Sequence, residues 1–407
     1  MTALRGTSLF CLALVVAARA TPRHPRLRSP LRAQQASRRK LVQDSATLAV
    51  SALGAAKPLP VSADDKFKVT QTVSQADLVR NLDQAPQRRI LITGANSGVG
   101  FAAAKLLVAA GHVVTLACRT QQKADAAAAA CREFAASNLL RPGGRAIGRQ
   151  CDLTSFDSIQ NFAKLVGAEA LDTLVLNAGL SFGTGDSEPH RTAEGFETTI
   201  GTNHFGHFLL ASLLLKSLEN GKEPRLVITA SGVHDARTGD PGPQATLGNF
   251  EGIVSRGRAA DMIDGGDYSA QKAYKDSKLC NVLFMEEAAR RLAGKVTVNA
   301  FSPGFIPNPD GFFRYQSKPA ALLLQKFAGL VGFSETNEFG GAALSYLATD
   351  PSVKNANGLW FDAYPPGKHQ LAVHDVSPEA ADEEKQRRLW DLSVLLTGNQ
   401  GGFSSRV

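Results

Sequence analysis

Cysteine, methionine and tryptophan are scarce in this 407-residue chain, at five, three and two copies. The cysteines (Cys11, Cys118, Cys131, Cys151, Cys280) are odd in number, scattered and never in C-x-x-C spacing, which argues against a disulfide framework and a zinc site alike. Apolar runs are short. Leu9–Ala18 spans ten residues, too few to cross a bilayer as a helix, and no other segment reaches spanning length. Acids are missing from Thr21–Lys40. Residues 1–65 hold ten basic and three acidic residues, seven of the eight net positive charges, so the rest of the chain is close to neutral. That distribution excludes a basic nucleic-acid-binding face and assigns the high pI to a leader.

The leader has two parts. Leu9–Ala18 lies behind Arg5 and ahead of Ala18-Arg19-Ala20, the layout of a secretory-type signal with a small-x-small cleavage site. Thr21–Lys40, rich in Arg, Ser and Pro, has the composition of an organellar transit peptide. In tandem they predict a plastid protein reached through the secretory route, stromal or in peripheral contact with a thylakoid surface. Ser37-Arg38-Arg39-Lys40 before the apolar Ala46–Ala56 also matches a twin-arginine signal, which would place a mature start near Ala63 in the lumen. The expected boundaries are a leader at 1–65, a linker at 66–87, one catalytic domain at 88–398 and a tail at 399–407.

From Arg88 onward, short β-rich runs alternate with helical stretches, the pattern of an α/β doubly wound (Rossmann) fold. The expected strands are Arg89–Thr93, Val113–Cys118, Ala146–Cys151, Thr173–Leu176, Arg225–Ala230, Val296–Phe301 and Leu359–Phe361. They predict a mostly parallel sheet of about seven strands. A last helix is expected to take Ser377 as its cap and Pro378 in its first turn. Two long stretches, 232–269 and 302–332, leave carboxyl ends of strands, where such folds bind ligands, and are expected to form the substrate pocket and its lid.

Thr93-Gly94-x-x-Ser97-Gly98-Val99-Gly100 follows the first of these strands and opens a helix, a dinucleotide-binding turn. An acid at the end of the next strand would hold the ribose 2′-hydroxyl of NAD. The chain has Cys118-Arg119-Thr120 there, and a guanidinium suits a 2′-phosphate, so NADPH is the expected cofactor. Asp152 after the third strand and Asn177-Ala178-Gly179 after the fourth are expected at the adenine and nicotinamide ends. Tyr274 and Lys278 lie one helical turn apart, so an ammonium stands beside a phenol and is expected to favour its ionised form. His204 and His207 lack the further ligand that a metal site requires.

These motifs, with Asn203, Ser231 and Ser302-Pro303-Gly304, resemble the short-chain dehydrogenase/reductase family across 88–398. The resemblance implies that Tyr274 donates the proton, Lys278 lowers its pKa and holds the nicotinamide ribose, Ser231 orients substrate or phenol, and Asn203 holds a relay water. It also places Pro303 and Gly304 at the cofactor. Met262-Ile263-Asp264-Gly265-Gly266-Asp267, Lys272–Asn281, Thr246–Phe250 and Ser377–Leu396 are similar to the light-dependent protochlorophyllide oxidoreductase branch, as is the 43-residue spacing from Ser231 to Tyr274. That branch implies light-driven reduction of the C17–C18 double bond of a tetrapyrrole, with Cys280, Phe305, Phe312 and Phe313 near the pigment. Phe305 stands where the branch usually has Cys. Two further readings stay open: a dark carbonyl reductase for a lipophilic, retinoid-like substrate, and a non-catalytic NADPH- or pigment-binding subunit. Self-association through the apolar faces of Thr192–Glu219 and Leu322–Gly329 also stays open.

Overall fold

The computed structural model describes residues 67–167, 169–183, 185–307, 332–398 and 401–403. The leader and the lid residues Phe312 and Phe313 lie outside the described residues. In chain order the elements are β1 (Gln71–Ser74), α1 (Gln75–Arg80), β2 (Arg89–Thr93), α2 (Gly98–Ala109), β3 (Val113–Cys118), α3 (Gln121–Ser137), β4 (Arg145–Gln150), α4 (Phe156–Val166) and β5 (Thr173–Leu176). Then come α5 (Gly206–Glu219), β6 (Arg225–Thr229), α6 (Glu251–Arg256), α7 (Ala270–Arg291), β7 (Thr297–Ser302), α8 (Asn337–Thr349), β8 (Leu359–Ala363), β9 (Gln370–Val373) and α9 (Glu383–Leu396).

The strands form one sheet in the order β1-β9-β8-β7-β6-β5-β2-β3-β4. From β4 to β8 every pairing is parallel; β8–β9 and β9–β1 are antiparallel. Alternation along the strands feeds two cores, because successive side chains leave opposite faces. Leu91, Leu174, Leu226 and Val298 pack with α4, α5, α7 and α9, whereas Ile92, Val175, Val227 and Phe301 pack with α2, α3 and α8.

The seven expected strands are present within one residue at each end, apart from β8, which runs two residues further to Ala363. Two more exist. Gln71–Arg80, read as linker, forms β1 and α1, and Gln370–Val373 forms β9, so the sheet has nine strands. α9 also departs from expectation. Asp382 caps it through Glu384 N and Lys385 N, while Ser377 caps an isolated turn by accepting from Ala380 N at 3.1 Å. The insertion at 232–269 is built from short helical turns and α6. No helix of the described residues is long and apolar enough to cross a membrane.

Candidate active site

The chain leaves β2, β3 and β4 on one side of the sheet and crosses to β5 on the other, which opens a crevice at the carboxyl ends of β2 and β5. The glycine turn fills its floor. Gly94 has φ +65°, and a Cβ there would lie 2.8 Å from the Ala178 backbone, so only glycine lets β2 pass this close to the turn after β5. Gly100 allows an equal approach, since its Cβ would meet Asn177 Nδ2 at 2.4 Å. That amide donates to Thr93 O at 2.9 Å, and Thr93 Oγ1 accepts from Asn177 N (2.8 Å) and Ala178 N (3.0 Å). Thr93–Gly100 and Asn177–Gly179 thus form one cradle. Ser97, at the N-cap of α2, makes no side-chain cap bond, so the first amides of this helix stay available to an anion.

Around the rim, Arg119 is exposed at the end of β3, one residue before Thr120 caps α3. Asp152 is engaged locally, with Oδ1 accepting from Thr154 N and Thr154 Oγ1 at 3.0 and 2.8 Å. Gly304, after β7, has φ +77°, and a Cβ there would strike Glu335 and Ala363. Pro303 packs where α8 begins, 3.1 Å from a Cβ placed on Gly340.

Across the crevice, α7 presents Tyr274 and Lys278 on one face. Ser269 caps this helix by accepting from Lys272 N, and β6 delivers Ser231 opposite it. The Ser231 hydroxyl shares a hydrogen bond with the Tyr274 phenol. Lys278 Nζ lies 5.5 Å from the centroid of the Tyr274 ring and donates to Thr229 O at 3.1 Å. Asn203 sits in a π turn, Gly201–Phe205, that interrupts the helix leading into α5; such bulges recur at functional sites. Its Oδ1 accepts from Leu180 N and its Nδ2 donates to Leu180 O and Ser277 Oγ, each at 3.0 Å. A Cβ on Gly179 would lie 3.5 Å from Lys278 Nζ and 3.6 Å from Asn203 Oδ1, so the nicotinamide-side loop meets both residues.

The electrostatics differ from the sequence expectation in one respect. Burial pushes the Tyr274 phenol above its ordinary value, the Ser231 bond works in the opposite direction, and Asp240 adds to the rise. Burial also lowers Lys278 to about 8. Desolvation dominates both groups, because the charged form of each loses water.

The short chain dehydrogenase family profile matches residues 88–239. A chloroplastic protochlorophyllide reductase of Chlamydomonas reinhardtii is 35% identical over 86% of this chain and 86% of its own. Those of Pisum sativum and Marchantia paleacea are 37% and 36% identical, over 76% and 77% of this chain and 77% and 69% of theirs. An uncharacterised protein from Mycobacterium paratuberculosis, known as a crystal structure, superposes with a TM-score of 0.57 at 27% identity, covering 80% of this chain and 98% of that one. The chain belongs to the short-chain dehydrogenase family. It is an oxidoreductase that uses a nicotinamide cofactor.

Not every residue singled out for this dehydrogenase faces the crevice. Cys280 is 0% exposed, and burial pushes its thiol well up. It lies six residues beyond Tyr274, about 240° round the helix, in the core shared with Leu279 and Leu283. Phe305 is half-buried after Gly304, its ring 6.2 Å from that of Phe333. His204 bonds Ser393 Oγ at 2.8 Å inside an aromatic cluster. His207, which burial lowers to about 3, is neutral. Its Nδ1–H donates to Asn203 O at 3.1 Å, so Nε2 accepts the Thr93 hydroxyl at 2.9 Å and ties the cradle to the π turn. The sequence reading missed that link, although His207 stands one turn after Asn203. It also missed Ser277, three residues after Tyr274, and Asn281, whose Nδ2 reaches Thr229 O at 3.3 Å.

Proposed function

We propose that this protein is a plastid NADPH-dependent reductase that carries out light-driven reduction of protochlorophyllide. The observation that carries the reading is the convergence of Tyr274, Lys278, Ser231 and Asn203 beside the glycine cradle, in a chain more than a third identical to several proteins named protochlorophyllide reductase.

The residues present fit a dinucleotide. Gly94 and Gly100 bring two backbones together at the crevice floor, and the uncapped start of α2 offers amides to a pyrophosphate. Arg119, exposed and without a neighbouring acid at 118–120, suits a ribose 2′-phosphate, which favours NADPH over NADH. Asn177–Gly179 and Pro303–Gly304 would flank the nicotinamide, and Lys278 would bond its ribose. Bound there, the cofactor supplies a hydride to one carbon of the C17–C18 double bond.

The chain's own residues supply the rest. Tyr274, kept protonated by burial, gives its phenolic proton to the neighbouring carbon, and the two-electron reduction of the double bond is complete. Ser231 holds the phenol in position and offers its hydroxyl to the phenolate that results. Lys278, lowered to about 8, passes a proton back, and Asn203 lies beside it to hold a water on that route. Light raises the pigment to the state in which the transfer proceeds.

The test is a dark-prepared mixture of the purified protein, NADPH and protochlorophyllide. Loss of pigment absorbance after a flash, matched by NADPH oxidation and absent before it, supports the reading. Turnover of a carbonyl substrate in darkness, with no response to light, would replace it with the carbonyl reductase.

A further inference from the structure

The turn between Ser231 and α7 grips the helix on the flank of Tyr274. Asp240 Oδ2 lies 2.6 Å from Lys275 Nζ, and that ammonium also donates to Pro241 O at 2.9 Å. Gln271 Nε2 donates to the same carbonyl at 2.8 Å. Gly242, at φ +86°, packs directly on the Gln271 amide, whose Oε1 would lie 2.4 Å from a Cβ there. By helical geometry Lys278, Gln271 and Lys275 stand about 40°, 60° and 100° round α7 from Tyr274. The turn at 239–242 therefore borders the face that carries the phenol and its ammonium. Lys275 is 2% exposed and Asp240 20%, so an ion pair has been placed where water screens it poorly.

We propose that Asp240 and Lys275 form a positioning clamp, which seats the 239–242 turn of the insertion against the Tyr274 flank and sets a fixed negative charge beside the proton donor. The clamp rests on the reading of Tyr274 as donor. Its chemical consequence is selective: a carboxylate near a phenol opposes ionisation, so the proton stays on Tyr274 until the reaction draws it away. Burial is the larger cause of the rise at Tyr274, and Asp240 adds to it in the same direction. Of the other charged or titratable groups at this corner, Asp362, at β8, faces Gly232 beside Ser231 and is paired with His374 at 3.3 Å. Lys278 and Lys275 lie on the phenol's own helix. His234, in the turn behind Ser231, donates Nδ1–H to Ser231 O at 2.9 Å and accepts from Ser377 N at Nε2, which fixes it neutral. His207 lies below Lys278 from α5 and is neutral as well. The pair Lys272–Asp276, at 2.6 Å, stands on the far flank, about 160° from Tyr274.

The test measures product formed by a single flash, so that the later proton return through Lys278 does not enter, with saturating NADPH and protochlorophyllide from about pH 8 to pH 12, the range in which a phenol raised above its ordinary value of about 10 loses its proton. Asp240→Asn removes the charge and keeps the shape, so the alkaline limb should fall to lower pH by about one unit. Asp240→Glu should leave the limb where it is. Lys275→Met, which leaves Asp240 unopposed, should move it upward, and this variant decides the matter if Asp240→Asn does not fold. NADPH affinity, read by fluorescence titration, should be unchanged throughout. A limb that stays in place in the folded variants overturns the clamp, since a purely structural contact would lower yield without moving it. Tyr274→Phe separates the two failures. If it is inactive while the limb does not move, the clamp alone is wrong; if it still turns over, the donor assignment has failed first.

Discussion

Replacing Lys278 by methionine should make the protein more stable and inactive at once. The ammonium is buried, and its folded pKa is about 8 against about 10.5 in an unfolded chain. A lowered lysine pKa means that the unfolded state holds the proton more tightly, so the group destabilises the fold wherever the unfolded chain is protonated. The penalty is full below pH 8, shrinks between pH 8 and 10.5, and vanishes above. At about 1.4 kcal/mol per pKa unit it amounts to roughly 3 kcal/mol at pH 7. Methionine keeps the length and loses the donor to Thr229 O, a loss of about 1 kcal/mol that the Asn281 bond to the same carbonyl limits. A net gain of about 2 kcal/mol remains. Reversible urea unfolding of cofactor-free protein at neutral pH and near pH 10 measures it: the gain should be clear at the first and mostly gone at the second. A Lys278→Met protein less stable than wild type at pH 7, or a gain that does not change with pH, refutes the reasoning.

Other substitutions test the remaining parts. Arg119→Ala should raise the Michaelis constant for NADPH by about tenfold or more, the loss of one charge-assisted contact, and leave that for NADH nearly unchanged; equal effects in steady-state assays would remove the 2′-phosphate assignment. Gly94→Ala adds a Cβ 2.8 Å from the Ala178 backbone at φ +65°, and should cost about 2–4 kcal/mol in denaturant unfolding and abolish NADPH binding by titration. Cys280→Ser buries a hydroxyl in an apolar core and should cost about 1–3 kcal/mol, while the native thiol should resist a bulky thiol reagent until the protein is unfolded.

Much of this architecture is legible in the sequence, for identifiable reasons. Parallel strands buried on both faces read as apolar runs, which is why β2, β5 and β6 stand out. β1 does not, because Gln71-Thr72-Val73-Ser74 buries only Val73 and gains its place by pairing with β9, more than 290 residues away. Motif spacing locates Tyr274, Lys278, Ser231 and Asn203, and topology brings them to one sheet edge. Acid strength is different. The four-residue spacing gives the ammonium's direction of influence, but the desolvation that dominates Tyr274 comes from the packing of α7 against β6 and the insertion. Cys280 was readable in principle, since six residues from Tyr274 puts it on another face of the helix. The Asp240–Lys275 contact was not, because nothing local to Gly239-Asp240-Pro241-Gly242 says which helix it will meet.

The fate of the proton tests the central claim most directly. Protein, unlabelled NADPH and protochlorophyllide are flashed in heavy water, and the product is analysed by mass spectrometry beside a Tyr274→Phe sample. The account predicts a single solvent deuterium in the wild-type product and little product from the variant. Equal yields from both, or product carrying no solvent deuterium, would contradict it.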